Sequence, residues 1–414
     1  MKHNILIFSE EYRKITKGLF VVWRNHVAEA SKRNFIDAML NQEHSAYEEA
    51  KFEFRANSQV RLHRLPLLLP GAWIRRAFRL DEMLWPLRVM GILLGRFLNL
   101  AVSPLVFLYL ILRLRQLQPS AIFCHNGGWP GSELCRWMIV AAMLARIPKR
   151  IIVIHSYPAK AGHFFSRLLL APFRFVQARL IDYCATSIVT VSESVKDTLE
   201  GIIFRHSVLR VHNGIPPLLP SFRSSDIPPL EWQPSGAVVG FVGALYPLKG
   251  PHVLLDAFKW VEVSCELALL GPADQHYLGS LKQRAQLCTN KVSFLGFHQD
   301  VDSFMQKIDV LVVPSIAFES FGMVTLEAMK HKKPVICSDF GGMKEIVVDG
   351  ETGLVVPAGD ELALANAITR LMEDTVLRRQ MGEAGYRRLN ELFTSERMAA
   401  QYDELCLGNN INAI

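Results

Sequence analysis

Ala237-Val238-Val239-Gly240-Phe241-Val242-Gly243-Ala244-Leu245-Tyr246-Pro247-Leu248-Lys249-Gly250-Pro251 carries the reading of the fold. An apolar run rich in β-branched residues ends at Val242. A glycine-bearing turn follows, and helical periodicity then runs from Pro251 to Val263. A short buried strand feeding a loop and then a helix is the repeating unit of a parallel α/β sheet. Similar apolar runs recur on both sides, at Ile5–Phe8, Ala121–Cys124, Ile151–Ile154, Ile188–Val191, Leu267–Leu270, Val292–Leu295, Val310–Val313, Pro334–Cys337 and Gly353–Val356. Helical stretches such as Tyr277–Leu287 and Glu361–Glu373 lie between them. The expectation is an α/β protein with doubly wound parallel sheets.

The chain has 414 residues, half of them hydrophobic and 21% charged, which excludes a disordered chain or a coiled coil and suggests two or three domains. Residues 215–235 hold six prolines, and neither a strand nor a helix interior tolerates that density. The expected organisation is therefore a first Rossmann-like domain over 1–214 and a linker over 215–235. A second Rossmann-like domain spans 236–390, and a C-terminal helix and tail over 391–414 packs back on the first. Seven scattered cysteines without a Cys-x-x-Cys pair argue against a disulfide scaffold or a thiolate zinc site. The opening Met1–Ser9 has four consecutive apolar residues, too few for a signal-peptide core, and reads as a first strand.

Charge is split between the halves. Residues 1–214 carry 29 Lys+Arg against 15 Asp+Glu, and residues 215–414 carry 17 against 24, so +14 and −7 make the overall +7. Ten arginines fall between Arg55 and Arg115, interleaved with large apolar residues and with Asp81 and Glu82 as the sole acids. No nucleic-acid module accompanies them, so no nucleic-acid partner is expected. An amphipathic contact with an anionic membrane surface and a solvated helix face both remain open. Phe97–Leu112 is too short for a span, contains Asn99 and Pro104, and reads as a buried helix.

In doubly wound folds ligands sit beyond the carboxyl ends of the strands, so the residues just after each apolar run are the candidates. Gly243 and Lys249 follow Val238–Val242, in a turn before a helix N-terminus suited to an anion. A surface lysine beside a turn reads equally well. After Val310–Val313 come Glu319, Ser320, Phe321, Gly322, Met323, Val324 and, eight residues beyond Glu319, Glu327. With Ser320 as cap, Glu327 falls inside a helix among apolar neighbours, where a carboxylate needs a partner such as vicinal hydroxyls or a basic side chain. His155 follows Ile151–Ile154, and His125-Asn126 follow Ala121–Cys124, so both lie at strand ends. Gly18 is placed in the loop after the first strand.

Phe241–Gly250, Glu319 to Glu327, Pro334-Val335-Ile336, Gly341-Gly342 with Glu345, and Asp349-Gly350 with Gly353-Leu354-Val355, taken in order, resemble the retaining glycosyltransferases of family 4 (group 1 glycosyl transferases). Val191-Ser192-Glu193 and Val211-His212-Asn213-Gly214-Ile215 look like that family's segments at the end of its first domain. The resemblance implies a GT-B fold, two Rossmann-like domains facing across a cleft, and a nucleoside-diphosphate-sugar donor. It implies diphosphate contacts at Gly18, Gly243, Lys249 and the backbone of Phe321–Val324, and ribose at Glu327. The donor sugar would lie at Glu319, Ser320 and Phe321, with His155 and Glu319 as catalytic residues. His125 and Asn126 are acceptor-side candidates. Neither a metal nor a cofactor is implied. The acceptor would be a glycan or lipid-linked glycan in cell-surface polysaccharide or lipopolysaccharide assembly, on the cytoplasmic face of the membrane.

Three positions depart from the pattern. Ala244 stands where an arginine is usual, Lys332 replaces a small residue, and Pro216 occupies a common aspartate position. The alternatives are a degenerate scaffold subunit, or an epimerase or phosphorylase on the same fold.

Overall fold

The computed structural model describes residues 3–9, 17–41, 47–66, 85–129, 132–156, 175–200, 203–205, 207–217 and 230–408. The chain divides into two compact units: Met1–Val191 with Val195–Val211 and Met398–Ile414, and Ser192–Ser194 with His212–Arg397. Most of the proline-rich stretch over 215–235 lies outside the described residues.

The first unit is built on seven parallel strands, β1 (Asn4–Ser9), β2 (Phe35–Asn41), β3 (Val60–Leu65), β4 (Ala121–Asn126), β5 (Lys149–Ile154), β6 (Ser187–Thr190) and β7 (Val208–Arg210). They run in the order β3-β2-β1-β4-β5-β6-β7. Its helices are α1 (Lys17–Ser31), α2 (Tyr47–Glu53), α3 (Trp85–Leu117), α4 (Glu133–Leu144), α5 over 175–184 and, from Val195 onward, α6 (Glu193–Leu199), whose first two residues count with the second unit. The central strands β1, β4 and β5 are buried almost throughout, which is why they read as unbroken apolar runs.

The second unit has six parallel strands, β8 (Val238–Val242), β9 (Glu266–Leu270), β10 (Lys291–Gly296), β11 (Val310–Val313), β12 (Val335–Ser338) and β13 (Gly353–Val356), in the order β10-β9-β8-β11-β12-β13. Its helices are α7 (Pro251–Phe258), α8 (Gln275–Ala285), α9 (Val301–Lys307), α10 (Met323–Lys330), α11 (Met343–Ile346), α12 (Glu361–Glu373) and α13 (Thr375–Leu392). Side chains such as Phe241, Leu254, Phe258, Leu269, Val312, Ile336 and Ile368 fill one contiguous core. The last helix, α14 (Ser395–Leu407), belongs to the first unit from Met398 onward. There it packs Tyr402 against His26, with ring centroids 4.4 Å apart, and pairs Asp403 with Arg33 at 2.6 Å.

In both sheets the chain order reverses once, between β1 and β4 and between β8 and β11. Loops leaving two neighbouring strands in opposite directions open a crevice at their carboxyl ends, which is where such folds hold ligands.

Two expectations for the first unit need correction. Phe97–Leu112 is not buried: α3 exposes Leu87, Met90, Leu94, Phe97, Leu105, Leu108 and Leu112, with Phe97 67% and Leu105 72% accessible. With exposed Ala101 between Phe97 and Leu105, these positions recur every three or four residues and so form one face. The opposite face buries Val106, Leu110 and Leu114. Nor is the arginine window a single helix face. Arg61 and Arg64 lie on edge strand β3, where Arg61 bonds the buried carboxylate of Asp37 at 3.0 Å. Arg64 stacks over Tyr47, and Arg113 bonds Gln116 and His63. Three arginines of the window, at 75, 76 and 79, lie outside the described residues.

Candidate functional site

In the second unit the loop after β8 forms a 3₁₀ turn, Pro247–Lys249, which ends at Gly250 with φ 70°. A Cβ on Gly250 would stand 1.9 Å from the carbonyl oxygen of Pro314, so only glycine lets this loop reach the one after β11. The two loops are joined by Ile316 N–H donating to Leu248 O at 3.1 Å. Lys249 is thereby held at the switch point, and its ammonium bonds the carboxylate of Glu319. Ser315 Oγ donates to the same carboxylate at 3.5 Å.

Glu319 is fixed from its other side. Gly342 N–H donates to Glu319 O at 2.8 Å. Added Cβ atoms on Gly341 and Gly342 would stand 2.2 Å from Glu319 O and 2.3 Å from Ser320 O. The glycine pair after β12 therefore lets two backbones touch and sets the depth of the Glu319 loop.

Helix α10 starts directly beyond. Its cap is Gly322, at φ 85°, rather than Ser320, which is buried in the loop. Gly322 has no side chain to accept the first N–H groups of α10. Met323 and Val324 thus present backbone donors at the positive end of a helix, beside an ammonium. Phe321 is buried, and Glu327 lies half-buried on α10 one turn further along. Gly243, with φ 151°, opens the loop after β8. Ala244, next in the chain, supplies no cation at this site. The structure thus brings Gly243, Lys249, Glu319, Ser320, Phe321, Gly322, Met323 and Val324 onto neighbouring strand ends. The arrangement can hold an anion at Lys249 and hydroxyl groups at Glu319.

An Asp-x-Asp spacing does occur, at Asp300-Val301-Asp302, but both carboxylates are engaged. Asp300 caps α9 by accepting from Ser303 N at 2.9 Å, and Asp302 binds His331 at 2.6 Å and Lys330 at 3.1 Å.

Glu345 has a role that sequence spacing left unassigned. Its carboxylate accepts from Glu193 N at 2.9 Å, from Ser194 N at 3.0 Å and from Ser194 Oγ at 3.1 Å, and faces His212 Nε2 at 3.1 Å. These bonds hold its pKa below the usual carboxylate range despite partial burial. The acid caps the start of α6 through Glu193 and Ser194, so Glu193 of the family-like segment meets it by a capping bond.

In the first unit, His155 follows β5 and donates its backbone N–H to Asn126 O at 3.0 Å. Its Nε2 lies 2.9 Å from His125 Nδ1, and His125 Nε2 lies 3.0 Å from His26 Nδ1 on α1. His125 and Asn126 are both 0% exposed. His125 spends both ring nitrogens on other histidines, and Asn126 Oδ1 accepts from Ser132 N at 2.9 Å. Both acceptor-side candidates thus lie beneath the surface of the described residues. Gly18 falls in the first turn of α1, not in a loop. His26 was missed altogether, because a lone histidine within an apolar helical stretch has no sequence signal.

Burial drives the three rings toward the neutral form. The pKa values of His26 and His155 are lowered to about 3 by desolvation, with Arg33 and His155 adding to the effect on His26. That of His125 is also pulled well below 6.5 by desolvation and its two histidine neighbours. In the unfolded chain these rings protonate below about pH 6.5, whereas in the native state His26 and His155 stay neutral to about pH 3 and His125 stays neutral well below 6.5. The unfolded state binds more protons in that window, so stability is present above pH 6.5 and falls as pH drops toward 3. Each ring adds a slope of about 1.4 kcal/mol per pH unit. His26→Phe is expected to flatten the pH dependence of unfolding free energy by about that slope between pH 4 and 6. Urea unfolding at a series of pH values measures it, and an unaltered slope would contradict a neutral buried ring.

Comparison with known proteins adds family evidence. Residues 223–388 match the family described as glycosyl transferases group 1. Phosphatidyl-myo-inositol mannosyltransferase of Mycobacterium leprae is 37% identical over 169 residues, covering 39% of this chain and 44% of that protein. The capsular polysaccharide biosynthesis glycosyltransferase CapM of Staphylococcus aureus is 29% identical over 291 residues, covering 66% of this chain and 73% of that protein. The chain thus spans less than half the length of the mannosyltransferase. Among solved structures, HepE of Anabaena in complex with UDP has a TM-score of 0.70 at 21% identity, over 99% of this chain and 100% of that one. At that identity the likeness concerns the fold, which is GT-B: two Rossmann-like units in one chain.

Proposed function

We propose, for a chain whose second unit belongs to the glycosyl transferases group 1 family, that it moves a sugar from a nucleoside-diphosphate sugar to a glycan or lipid-linked acceptor, with retention at the anomeric carbon. The observation that carries this reading is the Lys249–Glu319 pair beside the open N-terminus of α10, at the switch point between β8 and β11. The difficult step is departure of the nucleoside diphosphate. Lys249 and the backbone donors of Met323 and Val324 meet the charge that develops on it. Glu327 takes the ribose hydroxyls and Glu319 with the Ser320–Phe321 backbone takes the donor sugar, while His155 stays the catalytic candidate of the first unit. No metal or cofactor enters this chemistry. The names of the relatives, one acting on phosphatidyl-myo-inositol and one in capsular polysaccharide biosynthesis, support a lipid-linked or cell-surface acceptor.

A thermal-shift panel with UDP, GDP, ADP, dTDP and CMP tests the reading. One nucleoside diphosphate is expected to stabilise the native protein and to lose that effect in Glu327→Ala. If no nucleotide shifts the transition, the transfer reading falls. Ala244, which leaves the diphosphate one cation short of the family pattern, would then favour a scaffold subunit.

We assign the exposed apolar face of α3 to an anionic membrane surface. No helix among the described residues is long and apolar enough to cross a membrane, but this face repeats large apolar residues over its whole length, with Arg115 exposed at its end. Such a helix lies in the interface plane rather than across it. The protein is expected to float with vesicles containing anionic lipid, less so in high salt, and Leu105→Asp is expected to weaken flotation. Flotation that ignores both salt and Leu105→Asp would remove the membrane assignment and leave the transfer reading untouched.

A further inference from the structure

The ring-to-ring hydrogen bonds of His26, His125 and His155 make one continuous chain, and proton counting restricts what it can do. Three neutral rings carry three ring protons, and each of the two N···N contacts uses one. The third must sit at an end of the chain, so only two arrangements are consistent. In the first, His26 Nδ1–H donates to His125 Nε2, and His125 Nδ1–H donates to His155 Nε2. His155 then carries its proton on Nδ1, the ring nitrogen that the chain does not use. In the second, every bond is reversed. His155 presents a bare Nδ1, and His26 must carry a proton on Nε2.

The inner end of the chain favours the first arrangement. Around His26 lie the ring of Tyr402 at 4.4 Å and the edge-on ring of Phe123 at 4.8 Å. No hydrogen bond to His26 Nε2 occurs among the described residues. The Tyr402 hydroxyl, also buried, has no partner among them either. A lone pair can be left unbonded in such surroundings, whereas a buried N–H without an acceptor is costly.

We propose that His26 and His125 are positioning residues for His155: the imidazole chain fixes its tautomer and ring plane, so that Nδ1–H is held as a hydrogen-bond donor to a sugar oxygen. A free histidine ring prefers its proton on Nε2, so the chain holds His155 in the less common form. A donor at this position can orient a sugar hydroxyl or meet partial negative charge. It cannot accept a hydroxyl proton, so His155 is not the general base of the transfer. The inference rests on the transfer reading only for the identity of the oxygen.

The test is long-range nitrogen–proton NMR on protein labelled at its histidines, with His155 assigned by loss of its signal in His155→Gln. Native protein is expected to show His155 as Nδ1–H. In His125→Phe, which keeps the ring volume but breaks both bonds, His155 should revert toward Nε2–H. In His125→Asn, whose amide takes the place of Nδ1, His155 should keep a partner and much of the native tautomer. Turnover supplies the second readout. His125→Phe is expected to lower kcat about 10- to 100-fold with nucleotide affinity unchanged, and His125→Asn to recover part of it. Should the position 125 variants fail to fold, His26→Phe and the native spectrum still decide. Nε2–H on His155 in the native protein overturns the proposal, as does a tautomer indifferent to His125→Phe. Because the spectrum needs no turnover, failure of the chain and failure of the transfer reading are distinguishable.

Discussion

Lys249→Ala is expected to lower kcat/KM for sugar transfer by about 10²- to 10³-fold, the cost of removing one preorganised charge from a leaving group. The loss should be functional rather than structural. Lys249 lies at the end of a 3₁₀ turn with 42% of its side chain exposed, and its ion pair with Glu319 is worth under about 1 kcal/mol at such exposure. The melting temperature without ligand should therefore move little. Glu319→Gln sharpens the assignment. In the ligand-free protein Glu319 holds the ammonium that a diphosphate would need, so neutralising it releases Lys249. Nucleoside diphosphate should then bind as well as before or more tightly, while transfer falls because the donor sugar has lost a carboxylate. Isothermal titration beside initial-rate kinetics separates the two effects. Equal losses of binding in Lys249→Ala and Glu319→Gln would place the anion elsewhere.

Glu327→Ala is expected to weaken nucleoside-diphosphate binding about 100-fold. Two hydrogen bonds from ribose hydroxyls to a carboxylate are worth about 3 kcal/mol together, and 1.4 kcal/mol is tenfold. Mass action turns this into a readable shift. At one hundred times the native dissociation constant, ligand stabilises the native protein by about 2.7 kcal/mol. At the same concentration the variant sits near its own dissociation constant and gains about 0.4 kcal/mol. For a folding unit of this size these are shifts of about 5–11 °C against about 1–2 °C. An undiminished shift in the variant would show that Glu327 serves the fold of α10 rather than the ribose.

How far the sequence could be read depended on burial. The central strands were legible because both of their faces are covered, so β1, β4, β5, β8, β9, β11 and β12 appear as apolar runs. The edge of the first sheet was not. β3 reads Val-Arg-Leu-His-Arg-Leu, and its arginines merged with the basic stretch that follows. β2 carries Asp37 in its middle, a buried acid tolerated because His63 and Arg61 on β3 bond it at 2.7 and 3.0 Å. Those partners lie 24 and 26 residues away, so no local pattern announces them. Helix α3 misled for the opposite reason. Its run of apolar residues is as dense on the exposed face as on the buried one, and hydropathy alone cannot say which face finds a partner.

The candidate site divides in the same way. Strand ends, helix starts and glycine turns follow from local order along the chain, so the positions of Lys249, Glu319 and His155 beyond strand ends, and of Glu327 within the helix that follows, come from the sequence by itself. Their partners do not. The Lys249–Glu319 pair spans 70 residues, the Glu345 cap reaches back 152 residues to Glu193, and the bonds of His125 reach 99 residues to His26 and 30 to His155. None of these separations is local, so the residues on either side do not announce them. The sequence determined the elements, because burial and turn chemistry act over a few residues. Tertiary structure alone decided the pairings, because strand order brings distant residues together and a hydrogen bond acts only once they are within about 3 Å.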